Sequence, residues 1–324
     1  MSGQDEDQTP ATSLLARERM VVSSHPAVSA VGDRVLATGG NAVDATLAMA
    51  AMGWIVLPGQ CGIGGDAFAV VQEPDGRVWT VGGSGFGPDG ADTAFLSGAG
   101  LDAVPVHGAL SVAVPGALGA LAELHERDGT RALAELWRPA IEAAERGVAC
   151  SAKTANDVRT KQGLLRDDVW LAEAFLPGGK VPAPGQALRF PELARSMSML
   201  AKDPMQFYRG EFAERALASL TEAGAPFSGA EWELASRPEC GPSQRSHYGG
   251  LTVHQTPLPT PGWLALQQLA LCDGVLAELP FLGAEAVHRM ASAARRSFQD
   301  RWERGGSDND AWRDFLEPAA VAAI

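Results

Sequence analysis

The sequence predicts an α/β protein, densely packed and rich in loops defined by their backbones. Of its 324 residues 46% are hydrophobic and only 6% aromatic, while glycine occurs 37 times and proline 21 times. That balance suits a core of small side chains and argues against a fibre or a wholly disordered chain. Stretches with apolar residues at helical spacing alternate with short apolar runs that read as strands.

Met1 to Thr12 are polar and acidic, and residues 1–16 are expected to be a disordered leader. They hold no basic segment leading into an apolar stretch of signal-peptide length, which points to the cytoplasm. His25 to Thr38 places Val28, Val31 and Val35 at helical spacing, and Gly39-Gly40 stops it. A second helix starts at Asn41, a good N-cap, with Val43, Leu47, Ala51, Trp54 and Ile55 on one stripe and Pro58 ending it. Asp44 in its first turn is expected to cap and to meet the helix dipole rather than act as a base. The apolar run Ala45 to Pro58 falls short of the roughly 20 residues that cross a bilayer and reads as a core helix.

Cys61 to Asp66 forms a tight loop, with Asp66 expected to serve structurally as Asp44 does. Ala67 to Gln72 reads as a buried strand, Pro74-Asp75-Gly76 as a turn and Arg77 to Val81 as the returning strand. Gly82 to Gly90 is glycine-rich, so its backbone can approach a ligand closely. Val112 to Gly116 is expected to end a short strand and start a helix through about Arg127, followed by an amphipathic helix over Ala132 to Arg146. The chain to about Gly224 then reads as helical with Pro/Gly breaks. Leu251 to Gln255 reads as a strand, and Trp263 to Cys272 and Ala284 to Trp302 as helices.

Composition excludes several functions. The net charge of −13, with 26 scattered basic residues, argues against nucleic-acid binding. Cys61, Cys150, Cys240 and Cys272 lie far apart without C-x-x-C spacing, so all are expected to be reduced and structural. No His or acidic cluster has metal-ligand spacing, and no organic cofactor is implied. Gly62-Ile-Gly-Gly65 lacks the full G-x-G-x-x-G and precedes a strand, unlike a phosphate cradle. His107 stands alone and reads as a surface residue.

Three collinear stretches resemble the γ-glutamyltranspeptidase family: Gly39-Gly-Asn-Ala-Val-Asp-Ala45 running through Leu57-Pro58 to Gly62-Ile-Gly-Gly65, then Val114-Pro-Gly116, then Pro257-Leu-Pro-Thr-Pro-Gly262. Weaker similarities, including Trp137-Arg-Pro-Ala140 and Phe207-Tyr-Arg-Gly210, extend the likeness over about residues 20 to 320. The resemblance implies an N-terminal-nucleophile (Ntn) hydrolase with a four-layer αββα sandwich whose two central sheets are shared between subunits. Residues 17–324 would be the large-subunit portion of one such domain, Ile324 the processing site, and a partner small subunit would start with the nucleophilic threonine. No catalytic residue is then expected in this chain.

The sequence also departs from that family. Where the resemblance implies an Arg-Glu pair that grips the α-carboxylate of a γ-glutamyl substrate, this chain has Ser84-Gly85, followed by Phe86. A neutral hydroxyl cannot supply that charge-assisted bond. Thr260 replaces a usual serine and Trp263 a usual glycine. Ser84, Gly85, Phe86, Thr260 and Trp263 are therefore the expected substrate-binding positions. The divergence is similar to acylases, amidohydrolases and homologues that remove an oxalyl group in 4-alkylproline-type antibiotic pathways. Two other readings stay open: an authentic γ-glutamyl transferase drawing an arginine such as Arg189 or Arg237 from elsewhere, and a non-catalytic scaffold.

Overall fold

The computed structural model describes residues 18–304 and 311–316. The leader expected over residues 1–16 and the processing site expected at Ile324 lie outside them. The chain divides into two compact units, one from Met1–Gln60 and Gly129–Pro191, the other from Cys61–Asp128 and Glu192–Ile324.

In the first unit the helices Pro26–Ala37 and Ala42–Val56 follow the expected boundaries. Asn41 caps the second through a reciprocal box: its side chain accepts from Asp44 N at 2.8 Å, and Asp44 Oδ2 accepts from Asn41 N at 3.1 Å. Buried positions run right round this helix, from Val43 through Leu47, Ala51 and Trp54 to Val56, as befits an element enclosed on all sides. It packs on Leu133–Arg146, where the Trp54 and Trp137 rings meet edge-on at 5.2 Å. Asp44 is fully buried and also accepts from Thr130 N at 2.8 Å, from the Thr130 hydroxyl and from Arg131 N at 3.3 Å. The predicted cap is thus also a tether between two segments. Val148–Ala149 pairs with Ala187–Leu188 in a two-residue ladder that falls within the stretch expected to be helical.

The second unit holds an antiparallel three-stranded sheet, in which Ala67–Gln72 pairs with Val78–Gly83 and the latter with Glu239–Pro242. Ala67 lies opposite Gly83 and Gln72 opposite Val78, across the turn at Gly76, whose φ of 86° suits glycine. Helix Ala117–Asp128 packs on these strands, and Arg127 stacks its guanidinium 3.8 Å from the centre of the Trp79 ring. Phe68 and Val70, alternating with less exposed neighbours, remain 40% and 44% exposed on the first strand. A separate hairpin, Gln244–Tyr248 with Leu251–Gln255, packs on helix Gly262–Cys272, which itself packs on Ala284–Arg304.

Three expectations are corrected. Ala67–Gln72, expected to be a buried strand, has no buried residue and alternates between half-buried and exposed positions. The strand expected before Val114 is a 3-10 turn at Ala109–Ser111 followed by extended chain with no ladder. Val114 N does reach Phe86 O at 2.8 Å, but one bridging bond is not a strand pair. Of the four cysteines, none of them in a disulfide, only Cys150 and Cys272 are buried, while Cys61 and Cys240 are exposed. Burial still pushes all four thiols up, which opposes thiolate chemistry.

Candidate functional site

Three glycine-bearing segments of the second unit meet at the end of the sheet. The first is Gly62–Asp66, closed by Gly65 N donating to Gly62 O at 3.1 Å. Gly65 O then accepts from Ala117 N at 2.9 Å, tying the loop to the start of helix Ala117–Asp128. The second is the Gly82–Pro88 segment. Its first two residues continue the strand, and the loop proper starts at Ser84. The third is Val114-Pro115-Gly116.

Backbone approach explains the glycines. A Cβ on Gly116 would lie 2.5 Å from Gly83 C and 2.8 Å from Ser84 O, and one on Gly85 would lie 2.7 Å from Val114 O. Only hydrogen fits at these places. Gly85 N donates to Asp66 Oδ1 at 2.9 Å, so that amide is already committed and is not a spare oxyanion donor. Ser84 Oγ donates to Gly85 O at 3.2 Å, and Phe86 is 37% exposed beside them.

Beneath the third segment stands Tyr208, one of only two tyrosines in the chain and 2% exposed. Its hydroxyl donates to Pro115 O at 2.8 Å and accepts from Gly119 N at 2.9 Å. Burial holds this phenol far above its ordinary range, outweighing the opposing Gly119 bond, so it works as a neutral strut. Trp232 supports it from the next layer, donating Nε1–H to Phe207 O at 2.8 Å. Tyr208→Phe leaves a buried carbonyl and amide unpaired and is expected to cost about 2 kcal/mol; chemical denaturation checks it, and an unchanged midpoint would refute the strut.

The proline-rich loop is organised separately. Thr260 Oγ1 lies 2.8 Å from Thr256 Oγ1 and within bonding distance of the carbonyls of Thr256 (2.9 Å) and Pro257 (2.8 Å), fastening the turn before helix Gly262–Cys272. Trp263 is 3% exposed, its ring 5.1 Å from that of Phe315 in a cluster with Leu264. In this chain its contacts are those of a packing residue. No described hydrogen bond joins this loop to Ser84–Phe86. His107 is exposed, Arg237 is exposed, and Arg189 gives its Nε–H to Arg146 O at 3.2 Å.

Sequence reading assigned no site role to Tyr208 and only a generic structural one to Asp66. A buried tyrosine in a tyrosine-poor chain signals a hydroxyl with a partner, but which partner is set by the fold. No group of His, Cys, Asp and Glu among the described residues could hold a metal ion, and no described helix is long and apolar enough to cross a membrane.

A mixed helix-and-sheet chain with a glycine-lined wall at the sheet end matches the fold of the Ntn hydrolases. It superposes on γ-glutamyltranspeptidase from Helicobacter pylori with a TM-score of 0.89 at 23% identity, covering 96% of this chain and 91% of that one. On cephalosporin acylase from Bacillus halodurans the TM-score is 0.84 at 26% identity, over 97% and 62% of the two chains. The profile of the gamma-glutamyltranspeptidase family matches residues 28–322, and the chain belongs to that family. Similar proteins include a glutathione hydrolase-like YwrD proenzyme of Bacillus subtilis (30% identity over 89% of this chain and 55% of its own length) and acylase ACY 1 proenzyme of a Pseudomonas species (33%, 87% and 52%). An oxamate amidohydrolase proenzyme of Klebsiella pneumoniae is 32% identical over 89% and 55%. The chain therefore spans about half the length of the curated relatives it matches.

Proposed function

We propose that this chain, over residues 17–324, is the large subunit of a self-processed acyl-cleaving hydrolase whose partner chain begins with a nucleophilic threonine. Its relatives are named as proenzymes and it spans about half of their length. The exposed Phe68 and Val70 on the outer strand suit a sheet that a second chain covers. In this reading the threonine hydroxyl attacks the acyl carbonyl and passes its proton to the threonine α-amine. Backbone N–H groups of the partner hold the tetrahedral oxyanion. The leaving amine departs with that proton, and water then hydrolyses the acyl ester, restoring the threonine. The Gly82–Pro88 loop and the Pro257–Pro261 turn wall the acyl group, with Trp263 packed behind the turn against Phe315, and the chemistry requires no metal or organic cofactor.

The observation that carries the reading of substrate class is the wall itself. Where a γ-glutamyl α-carboxylate would need a guanidinium, Ser84 turns its hydroxyl onto a neighbouring carbonyl, and the one ionised group bonded to the loop's Gly85 is the Asp66 carboxylate. Less polar acyl groups fit Phe86 and the glycine surface. Within this class we favour amide substrates; removal of the charged oxalyl group of a 4-alkylproline-type antibiotic precursor, a carbon-carbon cleavage with no leaving amine, is the second reading that the family resemblance carries. Of the arginines that an authentic transferase could draw on, Arg189 gives its Nε–H to the Arg146 carbonyl, and Arg237 is exposed two residues before Glu239, the strand partner of Gly82.

The two-chain protein is expected to cleave an uncharged acyl-p-nitroanilide such as phenylacetyl at least ~100-fold more efficiently than γ-glutamyl-p-nitroanilide, the scale of a missing charge-assisted clamp. Equal or better kcat/KM on the γ-glutamyl compound would instead establish the transferase.

A further inference from the structure

The Gly82–Pro88 loop meets a charged side chain at Gly85. Among the described hydrogen bonds, its backbone between Ser84 and Gly87 has two links to the rest of the unit: Gly85 N to Asp66 Oδ1 at 2.9 Å, and Phe86 O from Val114 N at 2.8 Å. Asp66 is itself placed by the Gly62–Gly65 turn, whose last carbonyl holds the start of helix Ala117–Asp128. The carboxylate is thus anchored at its own backbone and reaches across to the loop. A Cβ on Gly85 would lie 2.7 Å from Val114 O, 2.9 Å from Ala113 Cβ and 3.2 Å from Asp66 Oδ1, so the residue is confined on each of these sides.

We propose that Asp66 is a positioning residue for acyl-group binding. By accepting the Gly85 N–H it keeps that donor out of the acyl pocket and sets the path of the chain through Ser84 and Phe86, the two side chains that face the substrate. The alternative, a brace that serves stability alone, is disfavoured by exposure: Asp66 lies at the surface, outside the core, where a hydrogen bond contributes little to global stability. Its effect falls on the local order of an otherwise lightly held loop. The inference rests on the reading that this loop walls the acyl pocket.

Asparagine keeps an oxygen acceptor at the same place, whereas alanine removes it, so the pair Asp66→Asn and Asp66→Ala separates the hydrogen bond from the rest of the side chain. Both are made in the two-chain protein. Amide hydrogen exchange of the segment 82–88 is expected to quicken about tenfold in Asp66→Ala and to stay within about twofold of wild type in Asp66→Asn. With phenylacetyl-p-nitroanilide, Asp66→Ala is expected to raise KM about tenfold with kcat within about threefold and an unchanged melting temperature, and Asp66→Asn to recover most of that KM. Unaltered exchange over 82–88 in Asp66→Ala overturns the proposal, as does a lowered melting temperature with KM unmoved. If wild type cleaves no acyl anilide, the functional reading fails, while the exchange experiment still decides whether Asp66 sets the loop.

Discussion

Replacing Gly83 by valine is expected to destabilise the protein by about 3 kcal/mol, the upper range for forcing atoms into a packed interior. Gly83 is buried at the end of its strand, opposite Ala67. A Cβ there would collide with the Gly116 carbonyl oxygen and lie 2.7 Å from Ala120 Cβ and 2.9 Å from Gly116 C. Two of these neighbours are backbone at the start of a helix, so relief requires moving helix Ala117–Asp128 off the sheet. The same movement opens the contact between Val114–Gly116 and Ser84, and acyl cleavage should fall with stability. For a chain of this size the melting temperature is expected to drop by about 4 °C. Gly87→Ala is the matched control, because a Cβ at Gly87 meets nothing within 4 Å and its φ is not in the left-handed region. A valine at position 83 that melts with wild type would mean that the strand end and the helix start are not in contact.

The second large effect is expected at Asp44. Asp44→Ala removes a fully buried carboxylate together with the bonds it accepts from the amides of Asn41, Thr130 and Arg131 and from the Thr130 hydroxyl, at a cost of about 3 kcal/mol. The sign of its pH dependence follows from the same contacts. Burial works to raise the pKa of this carboxyl, but the bonds from Thr130, Asn41 and Arg131 prevail and hold it below its ordinary value of 3.8. A depressed native pKa contributes stability that is complete above the unfolded value and is lost as pH falls through the folded one. The gap between wild type and Asp44→Ala should therefore be constant from neutral pH down to the ordinary carboxylate range and narrow only below it. Denaturant titrations across that range check this, and a gap that closes as pH rises would contradict it.

Asp44 also shows how far local sequence reaches. Its capping box spans four residues, so Asn41 and Asp44 announce the helix start, and the apolar run fixes its burial. The bonds to Thr130 and Arg131 cross more than 80 positions and exist only once the chain has folded. The same division separates the strands. Ala67–Gln72 and Val78–Gly83 are apolar and joined by a turn with its own chemistry, and both were legible. Glu239–Pro242, with a charge, a glycine and a proline, carries no strand signal and is a strand because Val78–Gly83 offers it an edge. At the candidate site the glycine-rich loop was legible as a place of close approach. What approaches it, the Val114–Gly116 backbone and the Asp66 carboxylate, was not, since those contacts are set by tertiary packing. Trp263 illustrates the converse: its size marked it as unusual in its loop, and its position against Phe315 depends on a helix about fifty residues further on.

In the proposed reading this chain is one half of a protein that cuts itself. The most direct test is intact mass spectrometry of the product expressed from the whole reading frame. Two fragments are predicted, one ending at Ile324 and the other beginning with threonine. Replacing that threonine by alanine should leave a single uncut chain with no acyl-cleaving activity. A single stable 324-residue product with no partner chain would contradict the account and return the protein to a non-catalytic role.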